Sequence, residues 1–218
     1  MTARTRILSA IRTALGPGKP PAQIAAEAAA LLDDPDAARP RLAAPSLPDA
    51  FAQKATALGT SIDRIGSLAE LPRAMARYLD AHGLPPRFAM QPAPELAALD
   101  WSGLAPHPGI APDEPAALGL ALHGIAESGS LVIHSGPENP ILMAFLPLHH
   151  VVLLREATLL PYLEDYAARL SAQAVPRNAI LITGPSGTTD IEGSYVRGAH
   201  GPGFLHVILI AEAGAEPG

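Results

Sequence analysis

The sequence predicts an α/β domain with a parallel-rich twisted sheet flanked by helices, preceded by a small N-terminal helical extension. Three observations predict it. Short apolar strands alternate with helical segments from residue 46 onward. Several of those strands, among them Val151-Val152-Leu153-Leu154 and Ala179-Ile180-Leu181-Ile182, are apolar on both faces, the pattern of a strand covered on two sides. Finally, 218 residues with 48% hydrophobic and 17% charged side chains suffice for a well-buried core without a disulfide or metal staple.

Taken in order, Ile7, Leu8, Ile11 and Leu15 share one helical face, Arg4 and Arg12 lie off it, and Gly16-Pro17 stops the helix. This reads as a docking helix. An Ala-rich helix from Gln23 to Leu32 follows between Pro-containing breaks, so residues 1–45 are expected to form an arm and linker, and residues 46–218 the α/β domain. Within that domain a helix is expected over Leu47–Leu58 and a strand over Ser61–Ile65. Ser67 caps a helix running to about Ala81, with Glu70 at the capping-box position, and Arg87–Met90 is a second strand. Prolines 92, 94, 106, 108, 112 and 115 predict irregular chain with one short helix near Glu95–Leu99. Strands Leu118–His123 and Ser130–His134 flank a Gly124–Gly129 turn. Strands at His150–Arg155, Ala179–Thr183 and His206–Ile210 follow, with helices at Leu159–Ala172 and near Asp190.

Charge and composition exclude several classes of function. Net charge is −6, and it is uneven: residues 1–100 hold 11 basic and 10 acidic side chains, residues 101–218 only 4 basic against 11 acidic. The motif-rich half therefore opposes a nucleic-acid surface, which needs a basic stripe to displace counterions. No apolar run approaches the roughly 20 residues that span a bilayer, and no apolar secretory core follows the basic start, so a cytoplasmic protein is expected. With no cysteine, the chain has no disulfide, thiolate zinc site, Cys nucleophile or thiolate-held iron–sulfur cluster of its own. No converging His spacing points to a metal either.

Three loops carry candidate chemistry. Ile180-Leu-Ile-Thr-Gly-Pro-Ser-Gly-Thr-Thr-Asp-Ile-Glu192 brings a strand to Gly184, Ser186, Thr188 and Thr189. A helix beginning near Thr189 or Asp190 would add backbone N–H groups to those hydroxyls and form an oxyanion cradle. Asp190 and Glu192 already supply negative charge there, and no Walker or Gly-x-Gly-x-x-Gly pattern is present. An ordinary strand-to-helix turn reads equally well. Glu127, in Gly124-Ile-Ala-Glu-Ser-Gly-Ser130, follows one strand and precedes another. It sits either in a solvated turn or in a cleft whose desolvation suits acid, base or nucleophile work, with Ser128, Gly129 and Ser130 beside it. Arg197-Gly-Ala-His200-Gly201-Pro-Gly203 surrounds a histidine with glycines, which suits either a structural imidazole or a general base near neutral pH. The expected site therefore has Glu127, Asp190 and His200 as catalytic candidates. Ser128, Gly129, Ser130, Gly184, Ser186, Thr188, Thr189, Glu192 and Gly201 are the ligand-binding candidates, in a cleft at the strand C-termini.

Together, Glu127-Ser-Gly-Ser130, the 182–192 block and Gly198-Ala-His-Gly-Pro202 before His206-Val-Ile-Leu-Ile210 resemble the lactate-utilisation protein C family (LutC/YkgG, the LUD domain). The segment Ile7–Gly16 resembles that family's opening helix. The resemblance implies the fold shared by ribose-5-phosphate isomerases, glucosamine-phosphate deaminases and CoA transferases. It also implies a part in bacterial oxidation of L-lactate to pyruvate beside iron–sulfur partner proteins, with a small anionic ligand bound by the 124–130, 183–192 and 198–203 loops. Two other functions are compatible with the fold: a stand-alone CoA-transferase or sugar-phosphate isomerase type of enzyme using Glu127, and a non-catalytic ligand sensor. The chain departs from the family pattern at Gly187, where an Arg is expected, at Thr189, where a small apolar residue or Gly is usual, and at Ser128 and Ser130, where Thr is typical. Loss of the Arg removes a bidentate anion clamp.

Overall fold

The computed structural model describes residues 2–34, 36, 39–42, 44–172 and 176–211. By its contacts the chain divides into two compact units, Met1–Pro40 and Arg41–Gly218.

The first unit holds helices α1 (Ala3–Leu15) and α2 (Pro21–Asp33). Thr2 caps α1 by accepting from the Thr5 N–H, and Gly16 ends it at φ 68°, a backbone that glycine adopts without strain. Neither helix buries a residue: Ile7 is 60% exposed and Leu15 78%.

The second unit is built on six parallel strands in the order β1 (Ser61–Ile65), β12 (Phe204–Ile210), β7 (His149–Arg155), β4 (Ala116–Leu120), β2 (Arg87–Met90) and β3 (Ala105–His107). Side chains alternate across a strand, so β7 and β12 serve two cores. On one face Val151, Leu153, Ile208 and Ile210 pack with Phe88, Leu118 and the Leu71, Met75 and Leu79 stripe of α4 (Leu71–Ala81). Leu96 of the short α5 (Pro94–Ala97) joins this core. On the other face Val152, Leu154, Val207 and Leu209 pack with Phe51 and Ala55 of α3 (Leu47–Ala57) and with Leu131. The doubly apolar strand His-His-Val-Val-Leu-Leu is thus explained by a layer on each side.

A second sheet has the order β8 (Leu159–Leu160), β5 (His123–Ile125), β6 (Ser130–His134) and β9 (Ala179–Ile182), and a two-stranded ribbon pairs β10 (Gly187–Ile191) with β11 (Ser194–Arg197). Helix α6 (Leu163–Ser171) follows β8.

Four expectations need correction. The helix near Asp190 is absent; residues 187–197 form the β10–β11 hairpin. Ile191 pairs with Ser194 across a two-residue turn, Glu192-Gly193, in which both residues have positive φ. A primed turn of this kind matches the twist of the flanking strands, and the Thr188-Thr189-Asp190-Ile191 run is too β-branched to compete as a helix. The strand Ala179–Ile182 is not covered on both faces. It is the edge of the second sheet, with Leu181 42% exposed. The stretch expected as one strand, Leu118–His123, and a Gly124–Gly129 turn is instead divided between β4 in the first sheet and β5 in the second, and the turn is shorter because Gly124 and Ile125 belong to β5. The helix expected from Leu159 starts only at Leu163, since Leu159 and Leu160 pair with β5.

Candidate functional site

Residues at the C-terminal end of β9 and in the 198–203 loop meet over the amino ends of β7 and β12. Around a cavity of about 320 Å³ stand Thr183, Gly184, Pro185, Ser186, His200, Gly201 and Pro202, with His150 and Leu205 as its floor. Two backbone bonds knit the loops together: the Ser186 N–H donates to the Pro202 carbonyl at 2.8 Å and the Gly198 N–H to the Ser186 carbonyl at 3.0 Å. A Cβ on Gly201 would come within 3.5 Å of the Ser186 Cβ and 3.7 Å of its Oγ. Glycine there keeps the space beside the hydroxyl open. Gly184, at φ 80°, packs against Leu58, where a Cβ would meet the Leu58 carbonyl oxygen at 2.9 Å.

His200 sits at the rim, with its Nε2 3.4 Å from an Asp190 carboxylate oxygen. Asp190 also accepts from the Thr188 hydroxyl at 2.6 Å, and that bond, with His200 second, holds its carboxyl below the usual carboxylate range. Thr188 and Asp190 thus reach the cleft through His200, and both belong to a strand. The N–H groups of a helix start, expected from the sequence, do not contribute here. Glu192, in the hairpin turn at φ 52°, and Thr189, on β10, are absent from the cavity lining.

Ser130 reaches the cavity wall through Thr183: the two hydroxyls are 2.7 Å apart, and Ser128 lies 2.8 Å beyond Ser130. Gly129, at φ 68°, lets this turn press on α3, where a Cβ would fall 2.4 Å from the Ala55 nitrogen. Glu127 points elsewhere. Its Oε1 accepts from the Leu163 N–H at 2.7 Å, so the carboxylate caps the start of α6 and lies outside the cavity lining.

Outside the three loop motifs, His150 lines the cavity, and Tyr195, which does not, bears on its lining residue Gly187. His150 is 1% exposed, its Nδ1 has no hydrogen-bond partner among the described residues, and burial lowers its pKa from 6.5 to about 4. A histidine heading a run of Val and Leu is the sequence signal for it. Tyr195 has no such signal. Its ring lies where a side chain at 187 would go, 2.4 Å from a Cβ built on Gly187. A side chain at 187 would therefore require the Tyr195 ring to move.

The geometry offers hydroxyl donors, an imidazole paired with a carboxylate, and a small cleft, which suits binding and proton transfer. Among the described residues, no group of three or more His, Asp or Glu side chains converges to hold a metal ion. No helix of the described residues is long and apolar enough to cross a membrane.

The LUD domain, as a family, matches residues 116–210, which span all of these loops. The chain is 32% identical over 168 residues to Lactate utilization protein C of Geobacillus kaustophilus, covering 66% of this chain and 70% of that one. It is 34% identical over 125 residues to the Escherichia coli protein named Uncharacterized protein YkgG, and spans about half of its length (54%). A solved DUF162 family protein from Deinococcus radiodurans shares the fold, with a TM-score of 0.58 and 19% identity over 76% of this chain and 96% of that one. With a parallel α/β sheet and a second sheet that between them carry these loops, and a relative matched across about two thirds of both chains, the chain belongs to the LutC/YkgG family of LUD-domain proteins.

Proposed function

We propose that this chain is a component of a bacterial L-lactate utilisation system, acting beside iron–sulfur proteins that oxidise L-lactate to pyruvate, and that it binds a small anion in the His200 cleft. The observation that carries the reading is the match to the Geobacillus kaustophilus protein named Lactate utilization protein C, which spans 70% of that relative. The cleft supports it chemically. Ser186 and Thr183 offer hydroxyl donors, Gly184 and Gly201 leave room beside them, and His200, beside Asp190, can donate a hydrogen bond to a carboxylate. With no cysteine in the sequence, a thiolate-held cluster in such a system belongs to another chain. A stand-alone enzyme attacking through Glu127 is less well supported, because that carboxylate is engaged by the α6 backbone.

Calorimetric titration with L-lactate and pyruvate tests the anion site. Binding is expected, and Ser186→Ala and His200→Ala should each weaken it about tenfold, the worth of one charge-assisted hydrogen bond. Absence of binding by the folded wild type, or binding that ignores both substitutions, overturns the site. A deletion strain that grows normally on L-lactate as sole carbon source overturns the component role.

A further inference from the structure

Open α/β sheets hold ligands outside the carboxyl ends of their strands, where successive connections leave to opposite faces. In this sheet that point lies between β2 and β4. The chain leaving β2 enters α5, whose Leu96 packs in the α4 core, whereas the chain leaving β4 enters β5 and β6, whose Leu131 packs in the α3 core. The His200 cleft is at the other end of the same sheet, above the first residues of β7 and β12.

A cavity of about 370 Å³ opens at the carboxyl ends. Its apolar walls are Leu120, Leu122 and Leu153. Gln91, the residue after β2, is 7% exposed and lines it. The Gln91 Oε1 accepts from the Leu120 N–H at 2.9 Å, and its Nε2 donates to no described residue. Asn139 lines the same cavity; its Nδ2 donates to the His134 carbonyl at 2.9 Å, which leaves the Asn139 Oδ1 as an acceptor. Charge is balanced at this site. Arg155 donates to Glu95, so their formal charges cancel, and an incoming anion would compete with that carboxylate. His134 shares a 2.8 Å hydrogen bond with the Tyr166 hydroxyl, and burial lowers its pKa, so it stands neutral at neutral pH.

We propose that this crevice is a second binding site, separate from the His200 cleft, for an uncharged planar heterocycle of nucleobase or nicotinamide type. One amide donor and one amide acceptor between leucine walls complement the hydrogen-bonding edge and the flat faces of such a ring. The volume lies within the range of small-molecule sites.

Ligand-observed NMR with adenosine, uridine and nicotinamide tests the proposal on the wild type and three variants. Leu122→Trp fills the crevice from a position already 42% exposed, so the fold is retained. Gln91→Glu keeps the oxygen that accepts from Leu120 but replaces the donating NH₂ with a charged oxygen. Ser186→Ala is the control in the other cleft. At least one probe is expected to bind the wild type and Ser186→Ala equally, to lose binding in Leu122→Trp, and to bind about tenfold more weakly to Gln91→Glu. No binding of any probe to folded wild type overturns the proposal, and so does binding that survives Leu122→Trp. Binding of L-lactate or phosphate that Leu122→Trp abolishes, with no heterocycle bound, overturns it as well. Because the anion site is read by Ser186→Ala and this one by Leu122→Trp, the two readings fail separately.

Discussion

Acidification should destabilise the α/β unit through three imidazoles. His149, His150 and His206 are buried at the amino ends of β7 and β12, and burial, the largest cause for each, lowers each pKa from 6.5 to about 4. His82 and Arg197 push His149 further in the same direction. At His206 the Asp63 carboxylate opposes the shift, and for His150 burial is the whole cause. An unfolded chain takes up these protons as the pH falls through about 6.5, whereas the folded domain resists until about 4. The unfolded state therefore binds more protons across that window. The stability contributed by the neutral imidazoles is whole above about pH 6.5 and is lost progressively as the pH falls toward 4. A shift of this size corresponds to about 3 kcal/mol per group in full, of which about 2 kcal/mol has gone by about pH 5. Three such groups represent a large part of a typical domain's 5–15 kcal/mol. The assay is urea unfolding between about pH 7.5 and 5, in wild type and in His150→Leu, with the slope checked for constancy. The variant removes a titrating ring whose Nδ1 has no partner among the described residues, so near neutrality it should be as stable as wild type or more so. Over the same pH range it should lose about 2 kcal/mol less than wild type. Parallel pH curves for the two proteins would refute the reasoning.

Gly129→Ala should cost about 3 kcal/mol or more, read as a fall in Tm, because it places a Cβ 2.4 Å from the Ala55 nitrogen at a φ of 68°. Gly187→Arg alone must first swing the exposed Tyr195 ring aside, so it should gain less affinity for pyruvate than when that ring is also removed. Combined with Tyr195→Ala it should gain about tenfold by calorimetry, as expected of a bidentate guanidinium contact. Equal affinity in the single and double variants would show that Tyr195 does not guard that position.

Much of the fold is legible in the sequence. Arg87–Met90, Ser130–His134 and Ser61–Ile65 have the limits the sequence predicts, because short β-prone runs bounded by Gly or Pro define strands locally. The 187–197 hairpin was not legible as read. The Glu-Gly pair at 192–193 was the available signal, but the Gly-Pro-Ser-Gly preceding it resembles the turn that leads from a strand into a helix. Within the candidate site, Ser186, Gly184, His200 and Gly201 were all named from sequence and do line one cavity. Glu127 looked equally eligible, and nothing local in Gly-Ile-Ala-Glu-Ser-Gly shows that its carboxylate meets the Leu163 N–H, 36 residues later.

Sequence by itself determined which residues are apolar, several of the strands and helices they form, the acidic balance of the second half and the lack of thiolate chemistry, because each depends on composition or on neighbours a few positions away. Tertiary structure alone decided which end of the sheet each loop occupies. The 183–187 loop leaves the carboxyl end of β9, yet β9 runs in a second sheet, so the loop arrives at the amino ends of β7 and β12. Pairing between distant strands likewise buries His150 without a partner for its Nδ1 among the described residues and sets Gln91 between β2 and β4. Periodicity reports whether a side chain faces a core. The direction and order of the strands, which decide what it meets there, come from contacts tens of residues apart that no local pattern encodes.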